Sequence, residues 1–323
     1  MQRLTDLFRG RLSDERGATA VVFALILIPV LGFAALAVDI GSLYAEKARL
    51  QVAADAAAIA VAQDCSRGSC GDMLATARAL VAANDGDAAA VQPVLNSVPL
   101  SVTVAGHTPV KHWFAPLIGH DATAVSASAT VGWGAPSQGT AVLPLIFSWC
   151  SFKAQTGGGL PSTTTPQTIM FSKSDDPSGC FGPSGNAIPG GFGFVVPDAG
   201  TCRATNGIGQ QLWSDTGVSM PSGCVAADFD SRLNRTVLLP LFDRSGGTGS
   251  GGWYHVYGYA AFQLTGYAFN GSTRSDKNVC GPKTTSSDRC VTGYYTRFVD
   301  LSDAWKYSSD APTLGASILR LIR

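Results

Sequence analysis

Charge is scarce in this sequence, and glutamate is almost missing from it. Only 14% of the 323 residues are charged, against roughly 25% in an average globular protein. Lys plus Arg (23) equals Asp plus Glu (23). With no basic surplus to neutralise phosphates, the composition argues against nucleic acid as a partner. With 46% apolar residues, it argues equally against an acidic disordered chain. The two glutamates, Glu15 and Glu46, lie in the first 64 residues, and all 16 acids after Asp64 are aspartates. The first 64 residues also lack Cys and Trp and hold four Gly; the remainder holds eight Cys, six Trp and 33 Gly. Glutamate suits helices, whereas aspartate favours caps and turns. The front therefore reads as helix, and the back as loops and β-structure.

Catalytic and cofactor signatures are missing too. The histidines, His107, His112, His120 and His255, have no glutamate for an H-E-x-x-H helix. Neither G-x-S-x-G nor G-x-x-x-x-G-K occurs. The stretch Gly247–Gly252 matches G-x-G-x-x-G, but it precedes an aromatic strand-like run rather than a helix, so it reads as a flexible loop. Asp228 and Asp230 could contribute to a calcium loop, although two carboxylates alone read better as a solvated turn. The expectation is no catalytic residue, no metal and no cofactor.

What the front does have is Ala18–Val38, 21 residues without a charge. As a helix this spans about 30 Å, the hydrocarbon thickness of a bilayer. Pro29 should only kink it. Arg3, Arg9, Arg11 and Arg16 precede the run and only Lys47 and Arg49 follow closely, which places the N-terminus in the cytoplasm. A cleaved signal peptide is the alternative, since Ala35-Leu36-Ala37 fits a small-x-small site. The long n-region and the apolar run speak against it. Beyond the run, nine of the nineteen residues from Ala45 to Gln63 are Ala, the strongest helix former. Leu43, Leu50, Ala54, Ala57 and Val61 form a narrow stripe on which another helix could approach closely.

Asp14-Glu15-Arg16-Gly17, Pro29 inside the span, Val38-Asp39-Ile40-Gly41 at its exit and Leu50–Ala58 together resemble the N-terminal region of TadE/TadG-like Flp pilus-assembly proteins. The segments LPLIFSWC, PGGFGF and GYAAFQLTGY are similar to the exported part of TadG-related proteins of actinobacterial type. The resemblance implies a role in the tight-adherence machinery, with the bilayer and other pilus-assembly or pilin-like membrane proteins as partners through the N-terminal helix. Prepilin-like relatives are processed after a glycine and carry glutamate at the fifth residue beyond it. Here Gly17 is followed at that place by Val22, so the chain reads as an accessory anchor rather than a fibre subunit. Some larger relatives carry a von Willebrand A module with a D-x-S-x-S metal site. Asp243-Arg-Ser245 matches only its start, because Gly247 stands at the third position and Pro240 interrupts the preceding strand.

The expected organisation is a cytoplasmic N-terminus (1–17), a transmembrane helix and stalk (18–64), a helical extension (65–97) and a β-rich exported domain (98–323), an α+β chain. Strands are expected near 98–104, 123–133, 141–147, 236–242, 253–267 and 294–299, and LGASILRLIR is open between strand and helix. An even cysteine count confined to an exported segment reads as disulfides rather than zinc ligands. Among 105 connectivities, the pairing of neighbours is expected: Cys65–Cys70, Cys150–Cys180, Cys202–Cys224 and Cys280–Cys290. Two rival functions remain at this point. A tethered hydrolase would need His255 and an aspartate facing into a deep polar pocket. An adhesin or glycan-binding module would need Trp253, Tyr254, Tyr257, Tyr259, Phe262 and Tyr267 to form an exposed platform.

Overall fold

A computed structural model of the chain describes residues 15–171, 179–215, 220–247, 251–270, 273–282, 285, 287–301 and 303–322. The N-terminal arginines Arg3, Arg9 and Arg11, and the centre of the Gly247–Gly252 loop, lie outside the described residues. One long apolar helix is followed by a β-rich part carrying four disulfides. The chain divides into two compact units, each discontinuous in sequence.

The first unit comprises residues up to Ala57, Leu74–Pro93 and Val104–Ala129. Its main element is α1 (Glu15–Ser66), which passes through Pro29 unbroken. The most apolar 18 residues of this helix have a mean hydropathy of 2.9, and none of them is buried. Helix α2 (Met73–Asn84) buries Ala77 and Val81, one helical turn apart. It ends at Asn84, whose side chain bonds back to the Leu80 carbonyl, and the turn-forming Asp85-Gly86-Asp87 follows. The helical extension expected to residue 97 is thereby corrected. Strand β1 (Ala89–Ala90) pairs antiparallel with β3 (Leu100–Lys111) through Ala89–His107 and Ala90–Gly106. Further on, a 3₁₀ turn (Ala115–Ile118) leads to β4 (Ala122–Ala141), in which Val125, Ala127 and Ala129 alternate inward.

The second unit comprises Ala58–Met73, Val94–Thr103 and the chain from Thr130 onward. Here β2 (Val94–Ser97) hairpins with the start of β3, so residues 94–97 are strand rather than helix. The later half of β4 pairs antiparallel with β15 (Ala316–Ile322), which resolves the C-terminal segment as a strand. It also pairs with β14 (Trp305–Ser308) and β8 (Ala204–Gly207), and β15 pairs in parallel with β13 (Phe298–Asp300). Glycine is required along β4: a Cβ on Gly134 would stand 2.7 Å from the Ser308 carbonyl oxygen, and one on Gly139 would overlap the Trp305 ring.

A second sheet runs β6 (Gln167–Met170), β12 (Cys290–Thr296), β11 (Trp253–Ala268), β10 (Arg235–Gly246), β5 (Leu145–Ser148) and β7 (Phe192–Phe194), with β9 (Gln211–Trp213) on β11. Strand β10 passes through Pro240, which was expected to interrupt it. Proline lacks an N–H for the ladder, but β5 meets β10 only at Leu241 and Phe242, just beyond it. Register shifts follow at once, and Asp243 falls out of pairing between Phe242–Val256 and Arg244–His255.

The core of this unit is aromatic. Phe147 lies 5.0 Å from Phe262 and 6.2 Å from Tyr295, and Phe152 lies 5.0 Å from Tyr295 (ring centroids). Such tilted and edge-on pairs add about 0.5–1.5 kcal/mol beyond burial. Tyr259 is buried with its hydroxyl donating to Asn206 Oδ1 at 2.6 Å, and burial drives its pKa upward. Tyr259→Phe leaves the buried Asn206 oxygen without that donor. It is expected to lower stability by about 1–2 kcal/mol, read as a drop of a few degrees in thermal unfolding.

The disulfides tie loops of this part together. The pairs are Cys65–Cys70, Cys150–Cys180, Cys202–Cys224 and Cys280–Cys290, with Cα atoms 3.9, 6.1, 4.6 and 5.6 Å apart. Bridges of this kind stabilise by roughly 2–4 kcal/mol each through restriction of the unfolded chain.

Candidate functional site

The functional candidate is helix α1 and its attachments, because the sequence places both the apolar span and the packing stripe there. Within the first unit, Leu50 is fully buried against Val125 and Ala127, with Leu43, Ala88 and Val110 packed around them. Gly106 makes the close approach possible: a Cβ there would come 3.1 Å from Leu50 Cδ1. Gln51 reinforces it, donating from Nε2 to the Ser128 carbonyl at 3.1 Å and to Asp55 Oδ1 at 2.8 Å.

Ala54, Ala57 and Val61 are also fully buried. Of the stripe Leu43, Leu50, Ala54, Ala57 and Val61, Leu43 is therefore half-buried and the other four are closed to solvent. Small residues allow close approach, and at Leu50 this chain's own strands take it up.

The exit of the apolar run carries a second attachment, which sequence reasoning missed. Asp39 follows Val38 directly and is 5% exposed. Its Oδ1 accepts the Trp113 N–H at 2.8 Å, and its Oδ2 accepts the Phe114 and Ala115 N–H groups at 3.1 and 2.8 Å. These amides open the 3₁₀ turn and have no partner inside it, so a carboxylate is a natural cap. The partners lie 74–76 residues away in sequence, and no local spacing points to them. The one available signal was a carboxylate placed immediately after an apolar span, where desolvation is costly unless it is paired.

Within the second unit, the end of α1 is held near a cleft of about 280 Å³. Its lining includes Gln63, Ser66, Arg67, Arg297 and Ser317. Arg297 Nη1 and Ser317 Oγ donate to the Arg67 and Ser66 carbonyls, each at 3.4 Å, and Cys65–Cys70 closes the turn that follows. Carbonyls at a helix C-terminus lack intrahelical partners, and these donors supply some.

His255 and Asp243 do come together. The bulge in β10 turns the Asp243 side chain inward, where it is 3% exposed. His255 Nδ1 donates to Asp243 Oδ1 at 2.7 Å, and Arg244 Nη2 donates to His255 Nε2 at 2.7 Å. Arginine cannot accept, so this tautomer alone satisfies both bonds. The Ser184 hydroxyl donates to Asp243 Oδ2 rather than to the imidazole. Both ring nitrogens are thus engaged, and the serine's partner is the carboxylate rather than the imidazole. The arrangement pairs a buried carboxylate with its neighbours, as burial requires. Tyr257 is raised above the usual tyrosine range by burial, then by the Asp243 charge.

The remaining candidates are spoken for. Asp228 Oδ2 accepts the Val225 N–H at 2.8 Å, and Asp230 Oδ1 accepts the Tyr267 hydroxyl at 2.8 Å. Among the described residues, no three His, Cys, Asp or Glu side chains converge as a metal site. His112 Nε2 meets Thr123 Oγ1 at 2.8 Å. His107 lies on β3, where it pairs with Ala89, and His120 lies in the loop after the 3₁₀ turn. Of the six aromatics weighed as a platform, Tyr254, Tyr259, Phe262 and Tyr267 are buried, and Trp253 and Tyr257 are half-buried. They build core rather than a binding face.

Comparison with known proteins agrees with the reading of α1. Residues 17–64 match the family model for TadE/G-like Flp pilus-assembly proteins. The match begins at Gly17 and takes in the span, Asp39 and the whole stripe. No curated protein and no solved structure matches the chain.

Proposed function

We propose that this protein is a membrane-anchored structural accessory of Flp-type (Tad) pilus assembly and has no catalytic activity. The family match over residues 17–64 carries the reading. It coincides with the one described helix long and apolar enough to cross a membrane. Residues 18–38 span the bilayer, the arginine-rich N-terminus stays in the cytoplasm, and the β-rich part lies outside. Four disulfides support an oxidising compartment for that part. Helices of other assembly components pack on the exposed residues of the span, since Leu50, Ala54, Ala57 and Val61 are buried.

The experiment is deletion of the gene in its native host. Surface fibres should be lost or sharply reduced and restored by the intact chain, and purified fibres should contain none of it. Normal piliation in the deletion strain would sink the proposal, and the protein as a stoichiometric fibre component would contradict its accessory role.

A further inference from the structure

We infer that the loop from His112 to Asp121 is an interfacial membrane wedge, held by Asp39 where α1 leaves the bilayer. It rests on the reading of residues 18–38 as a membrane span. The loop reads HWFAPLIGHD, and its large apolar residues are not covered by the protein. Trp113 is 78% exposed, Leu117 88%, Ile118 77% and Phe114 45%. Four such side chains on ten residues make an apolar patch that a water-facing loop would not carry without a partner.

The position of the loop identifies that partner as lipid. Its backbone N–H groups at 113, 114 and 115 sit within about 3 Å of the Asp39 carboxylate. Asp39 is the first charged residue after the 21-residue apolar run. At 1.5 Å per residue that run consumes about the full hydrocarbon thickness, so Asp39 lies at its edge. The loop backbone is therefore held at the same level as the headgroups.

Tryptophan is the residue enriched at that depth, with its apolar body towards the acyl chains and its N–H among polar groups. Tyr44, 73% exposed and five residues beyond Asp39 on the helix, adds a second aromatic of the interfacial kind. Lys111 and the two flanking histidines give the loop polar edges suited to headgroups, and Asp121 closes it. The role of Asp39 follows from this placement. Its carboxylate caps amides that would otherwise be unsatisfied near hydrocarbon, where an unpaired backbone group is costly.

The test uses the full-length protein in proteoliposomes containing phosphatidylcholine brominated near the glycerol end of its chains. Emission from Trp113 is isolated as the difference between wild type and Trp113→Phe, and a Phe23→Trp reporter in a Trp113→Phe background reads the span. The expected result is quenching of both, with the Trp113 component reduced at least about twofold. Quenching of the span reporter with none at Trp113 would overturn the wedge while leaving the anchor intact. Quenching of neither would overturn the anchor reading itself. With Asp39→Asn, quenching at Trp113 should fall while that of the span reporter persists. An unchanged Trp113 signal would refute the tether. Since loss of quenching could also follow from general misfolding, Leu117→Asn with Ile118→Asn provides an independent readout. It keeps the tether and should still weaken Trp113 quenching.

Discussion

Phe147→Ala is expected to lower the stability of the β-rich part by about 3–5 kcal/mol, the range for emptying a phenylalanine site in a packed core. Phe147 has no solvent exposure and lies on β5, the strand joining β10 to β7. Its ring contacts Phe192, Phe262 and Tyr295, so one truncation removes partners from three strands at once. Rings held by strands relax poorly into a void, which places the cost towards the upper end. In detergent under oxidising conditions, near-ultraviolet circular dichroism should show the transition about 10 °C lower. A drop of only a degree or two would mean that the cluster is not the core. The disulfides should remain formed, because they restrict the unfolded chain as well.

Leu50→Ala should cost about 2–5 kcal/mol in the first unit. The site is closed by Val125 and Ala127, with Gly106 beneath Leu50 Cδ1. The expected readout is local: backbone amides of β3 and β4 between residues 104 and 129 should exchange faster, while those of β10 and β11 keep their protection. Membrane association should be unchanged, since residues 18–38 do not depend on this contact. Unaltered exchange throughout would show that the stripe is not held by these strands.

Much of the architecture was legible in the sequence, and the reasons are physical. A 21-residue run without charge has few fates other than a membrane, and its alanine-rich continuation can hardly be anything but helix. Alternation at Val98–Val104 and Thr123–Trp133 located β3 and β4, because a half-buried strand must alternate. The C-terminus of α2 is masked in the sequence because alanine continues past Asn84, while Asp85, Gly86, Asp87 and Pro93 carry the stronger turn signal. Pro240 looked prohibitive in a strand, and only the pairing pattern shows that the second partner begins after it.

The fate of the stripe was not legible. Leu50, Ala54, Ala57 and Val61 specify close approach, and the same small residues serve a helix or a strand equally well. Nor could spacing reveal that Asp39 meets Trp113 or that Asp243 meets His255. The first pairing depends on a loop returning to the helix across 74 residues, the second on a one-residue bulge.

The central claim is that residues 18–38 cross the membrane once, with the N-terminus inside and the disulfide-bonded part outside. Epitope tags at the two termini of the otherwise intact chain test it, probed by antibody on intact and permeabilised spheroplasts. The account predicts that the C-terminal tag is stained on intact cells, and the N-terminal tag only after permeabilisation. Staining of the N-terminal tag alone on intact cells, or of neither tag until the membrane is opened, would contradict it.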